Sequence, residues 1–229
     1  MKRSEINRIM QEAKDFLRRR QFHLPPFAFW TPKQWNSKSG EAAAIVRCQL
    51  GWDITDFGRG DFSRFGLFLF TLRNGLPENL EAREGKIYAE KIMIVRKDQI
   101  TPLHFHRVKM EDIINRGGGR LLVQLYGSDA REQLSESPVM AEVDGIRRTI
   151  PAGGVVGLNP GESITLEPFC YHQFWGEGAD ALVGEVSLVN DDLHDNRFYE
   201  PTGRFPAIEE DAEPLHLLCT DYSRFKISR

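Results

Sequence analysis

The middle of this 229-residue chain is a near-continuous series of short β-prone runs separated by turn residues. From residue 117 to 190 the runs recur at the spacing of antiparallel hairpins, and Asp144-Gly145 marks one tight turn. Short strands at this spacing form a sandwich or a barrel, and the sequence has no internal repeat that would indicate two. We therefore expect an all-β protein built on one barrel. The predicted strands cover residues 66–72, 87–96, 121–127, 139–146, 154–158, 162–167 and 181–189.

The flanks of the predicted barrel differ from it in composition. Residues 4–20 repeat apolar side chains at three- and four-residue steps behind the N-cap candidate Ser4, which predicts an amphipathic helix. Residues 22–32 combine prolines with aromatic residues and predict an extended strap across the outside of the barrel. Residues 51–65 have the composition of a loop. We expect a single domain over residues 1–229, with a helical arm and strap over 1–40, the barrel over 41–190 and an extended tail over 191–229.

The charge balance excludes some classes of protein. A formal net charge of -3 and a pI near 6.1 give no bulk attraction to nucleic acid, and the basic residues are dispersed apart from the run 18–20. No apolar run has the length of a signal peptide or a membrane span, so we expect no membrane partner. Three cysteines without metal or redox spacing fit a reducing compartment, and we expect a cytoplasmic protein. They are Cys48, Cys170 and Cys219.

The clearest chemical signal is the set His104, His106, Glu111 and His172. On a strand, His104 and His106 project from one face, whereas Glu111 has the wrong parity for an unbroken strand. The chain must therefore turn or bulge between His106 and Glu111, and we expect a hairpin there. Imidazole and carboxylate ligands suit a first-row divalent metal and favour Mn or Fe. Four such ligands on an octahedral ion leave two positions for substrate oxygens. An isolated His-x-His is more often a surface or core feature, but Glu111 and the later Pro168-x3-His172 favour a metal site.

The two motifs, His104-x-His106-x4-Glu111 and Pro168-x3-His172, resemble the signature motifs of the cupin superfamily of jelly-roll β-barrels. Together with the N-terminal helix and three further stretches, they make the chain similar to the D-lyxose isomerases, which are bacterial cupins. Phe169, Gly176 and the position of Pro168 depart from the general cupin pattern, but none of them is a ligand position. The three stretches are residues 27–30, 101–106 and 189–192.

The resemblance implies a cupin barrel and a Mn(II)-dependent aldose-ketose isomerase, with His104, His106, Glu111 and His172 as the metal ligands. It implies that D-lyxose is interconverted with D-xylulose, and D-mannose with D-fructose. The metal would coordinate two adjacent sugar oxygens while a base moves a proton between C1 and C2. Proton transfer through an enediol is the expected route, although the sequence alone leaves a hydride shift open.

The base must be a carboxylate that the metal does not use. Glu185 is the first candidate, because on its strand it shares a face with Val183 and Ser187, and that face either lines the barrel interior or points to water. Lys109 has the parity of Glu111 and is a candidate for stabilising an oxyanion or relaying a proton, with an exposed lysine as the alternative. Four further residues are candidates for sugar contacts, although surface loops and aromatic cores are also rich in such side chains: Asp191, Asp192, Arg204 and Trp30.

Two other functions use the same ligand set. A cupin dioxygenase would place Fe or Cu there, although the acidic and amide-rich residues 190–196 favour a polyol over an aromatic substrate. A non-catalytic sugar-binding cupin is the other alternative, but such proteins often lose metal ligands. The helical arm and strap are the kind of additions that cover a barrel edge or reach a partner, and we expect a homodimer.

Overall fold

The computed structural model describes residues 1–38, 40–225 and 227, and antiparallel strands dominate it. Ser39, Lys226, Ser228 and Arg229, which fall in the predicted arm and tail, lie outside the described residues. The helices are α1 (Arg3–Arg19), α2 (Pro32–Ser37), α3 (Ala43–Arg47) and α4 (Pro77–Ala82). The strands are β1 (Gly51–Thr55), β2 (Leu67–Arg73), β3 (Tyr88–Val95), β4 (His104–His106), β5 (Glu111–Gly127), β6 (Val139–Val143), β7 (Ile146–Ile150), β8 (Val155–Leu158), β9 (Ser163–Leu166), β10 (Cys170–Leu188) and β11 (Asn196–Phe198).

Two long strands organise the sheet. β10 pairs antiparallel with β5 from Cys170 opposite Gly127 to Ser187 opposite Glu111, and its other edge carries β3 and β4. The order β1-β2-β3-β10-β5-β9-β6-β7 continues outward on both sides, with β8 paired to β5 and β11 to β4. Inward side chains of β2, β3, β5, β6, β8, β9 and β10 meet in one buried cluster, so the sheet curls around its own core. The predicted all-β cupin-type barrel with a helical N-terminal arm is confirmed.

The helix α1 covers part of the outer face of this sheet. Its apolar stripe is buried, including Ile6, Ile9 and Leu17, and it packs on Phe68 and Ile92. Burying each such side chain contributes about 1.5–3 kcal/mol of transfer free energy. The sequence predicts this helix over residues 4–20, and the structure has it one residue earlier at each end. Its position leaves the inner face of the sheet for the polar residues of the site.

Several sequence expectations are wrong in detail. The strap is not extended throughout, because it contains a 3-10 turn at Pro26–Phe29 and then α2, which Thr31 caps with Gln34. Both begin with proline, which helices tolerate in their first turn. The expected loop 51–65 begins with β1, in which Trp52 and Ile54 face the outer core cluster. Within the described residues, no helix is long and apolar enough to cross a membrane.

The expected hairpin after His106 is also wrong. The chain does turn there, but β4 and β5 do not pair with each other. They lie on opposite edges of β10, since His172 pairs with His104 on one side and with Leu125 on the other. The turn therefore carries the chain across β10 and places Glu111 at the start of β5.

Candidate metal centre and its cavity

Strands β4 and β10 bring three imidazoles together inside the barrel. His104 and His106 share a face of β4, and His172 lies opposite His104 on β10. Each ring offers a nitrogen within 4.8 Å of those of the other two. His106 and His172 are buried and His104 is half-buried. This arrangement is the geometry that the His-x-His spacing and the later histidine predict.

Backbone carbonyls orient two of the rings. The Nδ1 atom of His104 lies 2.8 Å from the carbonyl oxygen of Pro102, and Nδ1 of His172 lies 3.0 Å from that of Cys170. A neutral imidazole with its Nδ1–H donated in this way keeps a lone pair on Nε2, and such a bond to the far ring nitrogen orients most metal-binding histidines. Both rings thus offer Nε2 to the centre of the cluster.

Glu111 adds a carboxylate to the same cluster. Its Oε1 lies 3.1 Å from Nε2 of His172, and its Oε2 lies 3.5 Å from Nε2 of His106. Burial acts against charge on Glu111, but the ammonium group of Lys109 outweighs it and holds the pKa of the carboxyl well below its usual range. Burial lowers the pKa values of His104 and His106, so these rings stay neutral. The group therefore contains two neutral imidazoles, those of His104 and His106, and one carboxylate anion, Glu111.

The donor set fits a divalent cation. Within the described part of the chain, both ring nitrogens of His106 and Nε2 of His172 are buried and make no hydrogen bond, although the two Nε2 atoms lie close to the carboxylate of Glu111. Buried polar atoms are nearly always paired, so three such atoms in one cluster indicate a missing partner. Three imidazoles with one carboxylate match the preferences of first-row divalent metals such as Mn, Fe and Zn.

Asp195 holds the segment that joins the histidines of β4 to Glu111 at the start of β5. Its carboxylate accepts hydrogen bonds from the backbone N–H of Val108 at 2.7 Å and of Lys109 at 3.2 Å. One of its oxygens also lies 3.7 Å from Nδ1 of His106. Because residues 107–110 join β4 to β5, this aspartate sets the separation of His106 and Glu111.

A row of buried charges lines the wall next to the imidazoles. The Nζ atom of Lys109 lies 2.6 Å from Oε2 of Glu111 and 2.8 Å from Oε1 of Glu185. Lys91, on the neighbouring strand β3, approaches the same Glu185 oxygen at 3.2 Å. Burial opposes ionisation of Glu185, but Lys109 and Lys91 outweigh it and lower the pKa of this carboxyl. Glu185 is therefore a buried carboxylate between two ammonium groups.

Another part of the cavity wall carries a guanidinium held by two carboxylates. Arg204 donates from Nε to Asp192 at 3.3 Å and from Nη2 to both Asp192 and Asp53. Its Nη1 is buried and has no hydrogen-bond partner among the described residues. Arg204 and Asp192 line the same cavity as the three histidines, together with Phe57 and Phe198.

The structure brings most of the predicted site residues to this cavity. It lies against the four candidate metal ligands and against Lys109, Glu185, Asp192 and Arg204. Asp191 and Trp30 do not line it, so the structure gives no support to sugar contacts by these two residues. Asp191 accepts hydrogen bonds from the backbone of residues 193 and 194 on the outside of the barrel. Trp30 packs 4.9 Å from Trp35 in a separate aromatic cluster.

Sequence reasoning missed Asp53 and Lys91. Both are buried charged residues on strands. In β1, Trp52 and Ile54 alternate with Asp53 and Thr55, which is the period-two signal of a strand with two different faces. In β3, Lys91 follows Glu90 and has the parity of Met93 and Val95, whose side chains are buried in the inner core cluster. A charge on the inward face of a barrel strand is the pattern that points to a site.

Comparison with known proteins finds a matching family and two similar sequences. A family model described as D-lyxose isomerase matches residues 1–222. The chain is 51% identical over 228 residues to a D-lyxose/D-mannose isomerase of Serratia proteamaculans, covering 98% of this chain and 99% of that protein. A D-lyxose/D-mannose isomerase of Escherichia coli O157:H7 is 48% identical over 229 residues, covering 99% and 100%.

Among solved structures, the chain is similar to an L-ribose isomerase of Cellulomonas parahominis bound to L-ribose. The TM-score is 0.61 at 18% identity, with 91% of this chain and 98% of that chain covered. At this level of identity the likeness concerns the fold. It shows that the barrel and its helical additions are an architecture found in another protein.

Proposed function

The chain belongs to the D-lyxose isomerase family, and from this premise we propose that it interconverts D-lyxose with D-xylulose and D-mannose with D-fructose. The observation that carries the proposal is the convergence of three imidazoles, Glu111 and a second buried carboxylate, Glu185, on one cavity. An aldose-ketose isomerase needs a site for the two adjacent sugar oxygens O1 and O2 and a base that moves a proton between C2 and C1. The cavity offers both.

We propose His104, His106, Glu111 and His172 as ligands of a divalent ion, with Mn(II) as the metal. When bound, the ion supplies Lewis-acid polarisation of the sugar carbonyl and of its neighbouring hydroxyl. The support from this chain is the set of buried unpaired nitrogens and the ionised state of Glu111.

Glu185 is proposed as the base. It is ionised in this environment, and it is the carboxylate of the cavity that is not part of the ligand set and contacts both lysines. In the forward direction it takes the proton from C2 of the aldose, which leaves an enediolate. The hydroxyl proton of O2 passes to O1, and Glu185 returns a proton to C1 to give the ketose. The two lysines hold Glu185 in place, so that its carboxylate stays directed at the cavity.

Lys109 is proposed to stabilise negative charge that develops on the sugar oxygens. Burial opposes its charge, but Glu111 and Glu185 outweigh burial and raise the pKa of this ammonium, so Lys109 is a cation throughout the physiological range. A fixed donor in a water-poor cavity stabilises an oxyanion more strongly than bulk water does. Its role is therefore that of an electrostatic donor, and proton removal falls to Glu185.

Sugar hydroxyls away from the reacting carbons are proposed to contact Arg204 and Asp192. The unpaired Nη1 of Arg204 is a donor without a protein acceptor, and a hydroxyl oxygen would satisfy it. Phe57 and Phe198 supply apolar surface for the C–H face of the sugar.

The test is a ketose assay on metal-loaded protein with D-lyxose, D-mannose and D-glucose as control. We expect ketose from D-lyxose and D-mannose and little from D-glucose. Absence of ketose from every aldose, with oxygen consumed in the presence of bound Fe or Cu, would favour a dioxygenase. Solvent deuterium found at C1 of the product distinguishes enediol proton transfer from a hydride shift, in which the hydrogen of C2 is retained.

We further propose that the chain forms one domain, acts as a homodimer and works in the cytoplasm. The proposal of a dimer is based on the helical arm and strap, which are additions to the barrel core. Light scattering of the purified protein tests it: a mass of about twice 26.2 kDa is expected, and a mass near 26.2 kDa would contradict it.

A further inference from the structure

Strand β1 holds Arg204 at two points. The Oγ1 atom of Thr55 donates a hydrogen bond to the backbone carbonyl of Arg204 at 2.8 Å. The carboxylate of Asp53, two residues earlier on the same face of the strand, accepts from Nη2 of the guanidinium. Arg204 itself lies in a segment without regular structure after β11. A residue of an irregular segment is thus fixed to the sheet through both its main chain and its side chain.

The orientation of Asp53 follows from the alternation of β1. Trp52 and Ile54 are buried in the cluster beneath α1, so Asp53 points to the opposite, inner side of the sheet. Asp53 is paired in register with Leu69, which lines the cavity. Asp53 is itself only 4% exposed, and its side chain has one hydrogen-bond partner among the described residues, the Arg204 guanidinium.

Asp53 and Asp192 together determine which part of Arg204 faces the ligand. They occupy Nε and Nη2, and this leaves Nη1 as the free donor in the cavity. A guanidinium is planar with its donors in a rigid fork, so fixing two of its nitrogens also fixes the direction of the third. Without Asp53, the guanidinium would be held only by its two 3.3 Å contacts with Asp192, which are both longer than its contact with Asp53.

We propose that Asp53 is a positioning residue that acts through Arg204 to set how the enzyme discriminates between aldopentoses and aldohexoses. The inference rests on the proposed function. The two proposed aldoses share their configuration from C2 to C4 and differ by a hydroxymethyl group at C5, at the end of the molecule away from the reacting carbons. Arg204 is proposed above to contact this end of the sugar, and a donor with a fixed direction there can distinguish the two aldoses. The proton transfer at C1 and C2 is the same for both sugars.

The kinetic signature of such a role is specific. Contacts with the distal end are made equally in the ground state and in the transition state, so weakening them raises KM and leaves kcat nearly unchanged. Their loss also changes the ratio of kcat/KM for D-mannose to kcat/KM for D-lyxose, because only one of the sugars has the extra group. A residue with a purely structural role would lower stability without changing that ratio.

The experiment compares Asp53→Asn with the wild type on both sugars, with the metal content of each protein measured. The matched control is Asp221→Asn, because Asp221 is equally buried and binds another buried arginine, Arg3, at 2.8 Å and outside the cavity. For Asp53→Asn we expect KM to rise about three- to tenfold and kcat to stay within about twofold. The sugar ratio, which is kcat/KM for D-mannose divided by kcat/KM for D-lyxose, should shift by about threefold or more. Asp221→Asn is expected to keep the wild-type ratio and to lose stability.

Unchanged KM values and an unchanged sugar ratio in Asp53→Asn would overturn the inference, as would an equal shift of the ratio in Asp221→Asn. Should Asp53→Asn fail to fold, Asp53→Glu keeps the charge, moves the carboxylate by one methylene and is judged by the same ratio. An inactive wild type loaded with Mn(II) would instead refute the proposed function. The two failures are therefore distinguishable.

Discussion

The ammonium group of Lys109 lies 2.8 Å from a carboxylate oxygen of Glu185, and both side chains are almost completely buried. Taking two charges out of water costs several kcal/mol for each ion, so such a pair is retained where it is tightly hydrogen-bonded or where function requires it. Here the lysine also bridges to Glu111, so the candidate base and a candidate metal ligand share one cation. This coupling makes Glu185 the most informative position for substitution.

Glu185→Gln is expected to lower kcat by about a hundred- to ten-thousandfold, because the amide cannot accept a proton while it keeps the size of the carboxylate. Metal content is expected to stay at the wild-type value. The matched control is Glu177→Gln in the exposed middle of the same strand, which should retain full activity. Wild-type turnover in Glu185→Gln would remove this residue from the role of base.

His172→Ala is expected to lose the bound metal and with it the activity, because it removes one of the three imidazoles that converge on the site. Metal analysis of the dialysed protein measures the stoichiometry directly. His216→Ala serves as the control, since this imidazole stacks on Trp52 at 5.9 Å and does not line the cavity. Equal metal content in the two variants would argue against the proposed ligand set.

Asp195→Ala is expected to weaken metal binding by about ten- to a hundredfold without abolishing it. The substitution leaves the backbone N–H groups of Val108 and Lys109 without their acceptor, and the turn that separates His106 from Glu111 loosens. Titration of the metal-free protein with Mn(II) gives the affinity. Asp191→Ala, on the outer side of the same segment, is the control and should bind metal as the wild type does.

The lowered pKa of Asp192 predicts that this residue contributes to the free energy of unfolding in a pH-dependent way. Burial acts against its charge, but Arg204 and Lys91 outweigh burial and hold the pKa of this carboxyl well below its ordinary value of 3.8. A lowered pKa in the folded state means that the stabilisation is present above pH 3.8 and is lost as the pH falls through the folded value.

The measurement for Asp192 is urea unfolding of metal-free wild type and of Asp192→Asn at several pH values. We expect the variant to be about 1.5–3 kcal/mol less stable near pH 7, with the difference shrinking as the pH falls below about 4. A difference that is constant with pH, or that grows in acid, would show that the ionised carboxylate does not stabilise the fold.

Much of the fold and of the candidate metal site is predictable from the sequence because period-two patterns report which side chains share a face. His104 and His106 are two residues apart on a strand, and Glu185 shares its face with Ser187, 3.2 Å away in the structure. The Asp144-Gly145 turn and the amphipathic α1 are local signals of the same kind, and the structure has both. For such features the local sequence contains the necessary information.

The remaining features depend on contacts between distant parts of the chain. Asp53 and Arg204 are 151 residues apart, and no spacing rule connects them. The incorrect hairpin has the same origin, since parity shows that the chain must turn after His106 but not that β10 lies between the two halves. Trp30 shows a local signal with two possible meanings. An aromatic residue near proline suits a sugar-binding wall and a hydrophobic core equally well, and in the structure Trp30 packs against the core cluster that contains Trp35.

The most direct test of the account is the metal dependence of sugar isomerisation. Protein stripped with a chelator is titrated with Mn(II), and D-xylulose formation from D-lyxose is followed at each step. We predict no ketose from the stripped protein and activity that rises linearly to a plateau at one Mn(II) per chain in the wild type, with no recovery in His172→Ala. Full turnover in the stripped protein, or equal recovery in His172→Ala, would contradict the assignment of this cavity as a metal-dependent isomerase site.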